Sequence, residues 1–137
     1  MEYSDSLKKN NEFQRVYRKG TSQANRYLVM YVLENHDRHM ENRLGISVSK
    51  KVGNSVVRHR VTRLIRESYR LNERSFRQGL DIVVVARPNA KDRTYQEIES
   101  ALMHLAGRMK IRREAEVHSE ESENCLLYTS DAADDSL

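Results

Sequence analysis

One stretch constrains this chain more than any other: Leu80-Asp81-Ile82-Val83-Val84-Val85-Ala86. It is a nearly continuous β-branched run, and such a run reads as a central strand buried on both faces. A strand of that kind needs partners on its edges and cover above and below. Pro88, the only proline, closes it. Two further strands are legible. Arg26–Leu33 (RYLVMYVL) is rich in β-branched and aromatic residues. Leu44–Ser49 alternates apolar with small polar residues, as a half-buried strand does. The polar segment Glu34–Arg43 reads as a hairpin connection between these two. The cover comes from three helices. Leu7–Lys19 carries apolar Leu7, Phe13, Val16 and Tyr17 and is stopped by Gly20. A second helix spans about Ser55–Leu71. A third spans Thr94–Met109, with Thr94 and Glu97 at capping-box spacing and Ile98, Leu102, Leu105 and Met109 as its apolar stripe. The predicted class is α/β, a single two-layer domain of α+β type. The strand–helix–strand order around Ser55–Leu71 implies a crossover between parallel strands, ordinarily right-handed.

The middle helix carries the functional signal. Lys50–Arg70, KKVGNSVVRHRVTRLIRESYR, holds seven basic residues and one acid, Glu67. Gly53-Asn54-Ser55 is a turn in which Asn54 or Ser55 can cap the helix, because a short side-chain oxygen accepts from free first-turn amides. At about 100° per residue, Val57, Val61, Leu64, Ile65 and Leu71 fall on one side. Arg58, His59, Arg63, Arg66 and Arg70 fall on the other, with Arg60 at its edge. A plain solvated face would intersperse acids with bases, and here acids are nearly absent. Guanidinium groups keep their charge and grip phosphate in two places, so the pattern points to a polyanion.

Lys50-Lys51-Val52-Gly53-Asn54-Ser55-Val56-Val57-Arg58-His59-Arg60-Val61-Thr62-Arg63-Leu64-Ile65-Arg66 resembles the signature of the bacterial ribonuclease P protein component. That family carries an Arg-Asn-Arg core followed by Lys-Arg and, three residues on, Arg. Arg58, Arg60, Arg63 and Arg66 match. His59 stands where the family has Asn, and Thr62 where it usually has Lys, which removes one amide and one charge. The resemblance extends over about residues 7 to 111. It implies a four-stranded sheet in the order α-β-β-β-α-β-α with a left-handed crossover. It implies the protein subunit of an endonuclease that removes the 5′ leader of precursor transfer RNA. In that family the RNA subunit is the catalyst, and the protein assists substrate binding and the use of Mg²⁺, which the RNA mainly holds. The RNA-binding set it implies is Lys50, Lys51, Asn54, Arg58, His59, Arg60, Arg63, Arg66 and Arg70. The leader cleft it implies is Phe13, Tyr17, Tyr31 and Ser49. Spacing alone favours Phe13 and Tyr17 as core residues over stacking platforms.

Charge distribution supports a nucleic-acid partner. Residues 1–113 hold 24 bases and 12 acids, a net +12, whereas residues 114–137 hold eight acids and no Lys or Arg. The domain is therefore placed at 1–113. Glu114–Asn124 is acidic without an apolar period and reads as disordered, and the segment from Cys125 reads either as foreign sequence or as part of an acidic tail that folds back on the basic face. No long apolar run, amphipathic anchor or secretory h-region is visible, and the lone Cys125 has no internal disulfide partner. A cytoplasmic protein without membrane association or an obligate protein partner is expected. No catalytic constellation stands out. The acids are scattered, His36 and His39 lack a third ligand, His104 reads as structural, and Gly53 stands alone without a phosphate-cradling loop. The polypeptide alone is expected to be inactive. A ribosomal-type RNA-binding protein and a DNA-binding regulator are the rival readings; the long motif argues against the first, and the second wants a helix-turn-helix pair or a dimer interface where this helix follows a strand.

Overall fold

The computed structural model describes residues 4–7, 9–35 and 41–112. Along the chain run β1 (Ser4–Ser6), α1 (Asn10–Lys19), β2 (Thr21–Ala24), β3 (Leu28–Glu34), β4 (Asn42–Ser47), α2 (Ser55–Leu71), β5 (Leu80–Ala86) and α3 (Tyr95–Arg108). Among the described residues the strands form one sheet in the order β1-β4-β5-β3-β2. β5 is central, parallel to β4 and antiparallel to β3, with Ile46 opposite Val84 and Tyr31 opposite Val83.

The four expected strands are present, and β1 adds a short fifth by pairing in parallel with β4. One expectation is corrected. β3 and β4 do not form a hairpin, because β5 lies between them. The most apolar strand takes the centre, where both of its ladders are satisfied and both of its faces covered. The hairpin that does form joins β3 to β2, whose sequence TSQA is too polar to announce a strand. The connecting residues 36–40, including His36 and His39, lie outside the described residues, as do 113–137.

β-strand alternation divides the apolar residues between two faces. Leu28, Met30 and Val32 of β3 and Ile82 and Val84 of β5 join Val61, Ile65 and Tyr69 of α2 and Ile98, Leu102 and Leu105 of α3 in the main core. Val83 of β5 turns the other way and meets Leu7 and Val16, with Phe13, Tyr17, Tyr31, Leu33 and Val85 half-buried around them. α2 and α3 with the sheet are the expected two layers, and α1 is a partial third on the opposite face. Leu7 belongs to this smaller core but precedes the helix, which begins at Asn10.

Candidate nucleic-acid interface

α2 starts where its cap permits. The Asn54 side-chain oxygen accepts from the Val57 N–H at 3.0 Å, so Asn54 is committed to capping the start of the helix. Val61, Ile65, Ser68 and Tyr69 are the buried residues of the helix. His59, Arg60, Arg63, Arg66 and Arg70 are exposed together. Two positions differ from the helical-wheel expectation. Leu71 is 57% exposed, and Arg58 is half-buried, flanking the core rather than joining the open stripe. The cause is the Ser68–Tyr69 pair. Once these are buried, the covered arc turns toward Arg58 and away from Leu71. Arg58 Nε is buried and has no hydrogen-bond partner among the described residues. The Thr62 hydroxyl donates back to the Arg58 carbonyl at 2.9 Å, so it serves its own helix.

The arginines are not equivalent. Arg60 Nη2 donates to the Arg93 carbonyl at 2.9 Å, tying α2 to the loop before α3. Arg70 pairs with Glu67 one turn away. That hydrogen bond holds the Glu67 carboxyl below its ordinary value and raises Arg70 above its own. Lys50 and Lys51 are exposed in the turn after β4, where the Ser49 hydroxyl accepts from the Lys51 N–H at 3.3 Å.

On the opposite face the structure brings Phe13, Tyr17 and Tyr31 together. The Tyr17 and Tyr31 rings meet edge-on with centroids 4.9 Å apart, and Phe13 lies 6.4 Å from Tyr17. All three are half-buried. Ser49 is exposed past the end of β4 rather than within the ring cluster. A residue absent from the sequence-derived set makes the cluster possible. A Cβ on Gly45 would stand 2.7 Å from the Phe13 ring, so only glycine lets Phe13 settle onto β4. Its signal was a glycine inside a half-buried strand.

Beside this cluster, Arg43 grips Asp81 with Nε–Oδ1 at 3.0 Å and Nη2–Oδ2 at 2.7 Å, and Nη1 reaches Glu12 at 3.1 Å. Among the described residues no three His, Cys, Asp or Glu side chains stand close enough to hold a metal ion.

A family model also matches this chain. The model described as Ribonuclease P covers residues 1–110. The chain belongs to the ribonuclease P protein family. It is 63% identical over 108 residues to the ribonuclease P protein component of Lachnoclostridium phytofermentans, covering 79% of this chain and 91% of that one. It is 55% identical over 111 residues to that of Alkaliphilus metalliredigens, covering 81% and 98%. The solved Staphylococcus aureus RNase P protein superposes with a TM-score of 0.72 at 42% identity, over 79% of this chain and 97% of that one. The Thermotoga maritima RNase P protein gives 0.69 at 28% identity, over 76% and 96%. As a member of this family the chain is a subunit of a ribonucleoprotein, with an RNA-binding role and the RNase P RNA as its partner. Among the described residues no helix is long and apolar enough to cross a membrane.

Proposed function

We propose that this subunit holds two RNAs at once, the catalytic RNA on the α2 face and the 5′ leader of precursor transfer RNA in the α1–β3 cleft. The observation that carries the reading is the separation of the two surfaces by the sheet. α2 packs in the main core, and the Phe13/Tyr17/Tyr31 cluster stands on the other side. His59, Arg60, Arg63, Arg66 and Arg70 track phosphates, with Arg58, Asn54, Lys50 and Lys51 at the helix entrance. Forked guanidinium groups suit phosphate, and each phosphate neutralised releases counterions. Open tyrosine and phenylalanine faces stack on unpaired bases without demanding a sequence, which suits a leader of variable sequence. Ser49 is assigned to the rim of that cleft.

The protein's contribution is binding and orientation. Cleavage, with the Mg²⁺ it needs, is assigned to the RNA. Holding the leader lowers the entropy cost of aligning the scissile phosphate and raises the local positive potential, so less free Mg²⁺ is needed. The test is reconstitution with a bacterial catalytic RNA and precursor transfer RNA at low Mg²⁺. Leader removal should be stimulated by the protein and absent with protein alone. Sustained metal-dependent cleavage by RNA-free protein would overturn the assignment.

A further inference from the structure

α1 lies on the sheet through a small apolar contact. Its buried partners are Leu7, Val16 and Val83, while Phe13 and Tyr17 stay half-open. Rings kept open for RNA cannot also be buried to fix the helix, so something else must hold it. At its C-terminal end the helix presses against the sheet backbone. A Cβ on Gly20 would stand 2.6 Å from the Val32 carbonyl oxygen. At its N-terminal end the contact is ionic. Asp81 on β5 is 1% exposed and accepts from Arg43 and from Asn35 Nδ2 at 2.9 Å. The remaining arm of Arg43 reaches Glu12, whose other oxygen accepts from the Lys9 N–H at 3.2 Å and ties down the first turn. Lysine has no side-chain acceptor to return, so Glu12 alone makes this cap. A free surface ion pair fixes little, but this one is anchored on a buried, fully engaged carboxylate.

We propose that Glu12 is a positioning residue for leader recognition, acting through Arg43 and Asp81 to hold α1 so that Phe13 and Tyr17 face Tyr31. Glu12 directly precedes Phe13, and Arg43 stands two residues from Gly45 on the same face of β4. Arg15, one turn further along α1, also reaches Asp81, Nη1 to Oδ2 at 3.9 Å, so the buried carboxylate anchors the helix both through Arg43–Glu12 and through Arg15. The inference rests on the leader-cleft reading given above.

Glu12→Gln tests it in the reconstituted ribonucleoprotein, because glutamine keeps the cap acceptor and loses only the charge that Arg43 holds. General electrostatics gives the opposite sign. Removing a carboxylate beside an RNA site should tighten binding of both transfer RNA forms. The clamp instead lowers the preference for precursor over mature transfer RNA about fivefold, with affinity for the catalytic RNA unchanged. In a Tyr17→Ala background, Glu12→Gln should add no further loss. An unchanged or raised preference, or losses that simply add, would overturn the proposal. The underlying reading fails separately. If Tyr17→Ala itself leaves the preference intact, the cleft does not hold the leader. If Tyr17→Ala abolishes the preference and Glu12→Gln does not, only the clamp is wrong.

Discussion

Tyr17 and Gly45 show how single residues set the cleft. Tyr17 contributes ring surface to the cluster while remaining half-buried, so its loss removes stacking with limited loss of core. Tyr17→Ala should lower affinity for precursor but not mature transfer RNA by about 1–3 kcal/mol, one stacked base's worth. Titration at one salt concentration with leaders of several lengths checks this, and equal weakening of both forms would return Tyr17 to packing. Gly45→Ala acts indirectly. Its methyl would collide with the Phe13 ring, which must swing outward. A cost of about 1–3 kcal/mol in unfolding free energy is expected from overpacking, together with a weakened leader preference. Denaturant titration and the binding assay measure the two effects separately. The i, i+4 spacing puts Phe13 and Tyr17 on one helix face, but it was the family resemblance that joined them with Tyr31 into one cleft. Sequence could not supply Gly45, Arg43 or Asp81, since their importance comes from strand register between distant segments.

At the scale of the element, α2 was the most legible part of the chain. Its cap, its ends at Ser55 and Leu71 and most of its open stripe follow from local pattern. The rotation of its buried arc does not, because hydropathy could not foresee that polar Ser68 would be packed away and Leu71 left out. This sorts the arginines into different experiments. Arg63→Ala should leave stability nearly unchanged and make the slope of log affinity against log salt shallower by about 0.7–0.9 per lost phosphate contact. Arg58→Ala should lower stability as well as RNA affinity, since the side chain lies half inside. Thermal melts beside salt titrations distinguish the two, and a marked loss of stability in Arg63→Ala would mean the faces are reversed. Glu67 gives an opposite-signed test. It holds Arg70, and its carboxyl sits below the ordinary range, so the pair persists above that range and is lost as pH falls through the lowered value. Glu67→Gln should therefore tighten binding of the catalytic RNA at neutral pH, by up to about fivefold at low salt. Weakened binding would show that the pair orders Arg70 for RNA rather than withholding it.

The whole molecule is organised by β5. Its apolar sequence announced a central strand, yet nothing local announced that β3 and β4 would flank it or that TSQA would become an edge strand. Strand order is set by which pairings bury the most apolar surface once all segments are present. One consequence reaches function. Because β5 and its neighbours stand between α2 and α1, the described residues of the two proposed RNA surfaces are joined only where the Lys51 N–H donates to the Ser49 hydroxyl, far along the chain from Arg63 and Tyr17. Mutations on separate, non-contacting sites add to within about 0.3–0.5 kcal/mol. Arg63→Ala combined with Tyr17→Ala should therefore weaken precursor binding to the assembled ribonucleoprotein by the sum of the single losses, measured where the catalytic RNA is saturated by protein. Below saturation the sum should be exceeded, because Arg63→Ala then also removes protein from the complex and with it the whole cleft. Raising the protein concentration should restore additivity. A coupling that persists at saturation would mean that the sheet transmits strain between its faces, or that the leader reaches around its edge to α2, and the two-surface arrangement would have to be abandoned.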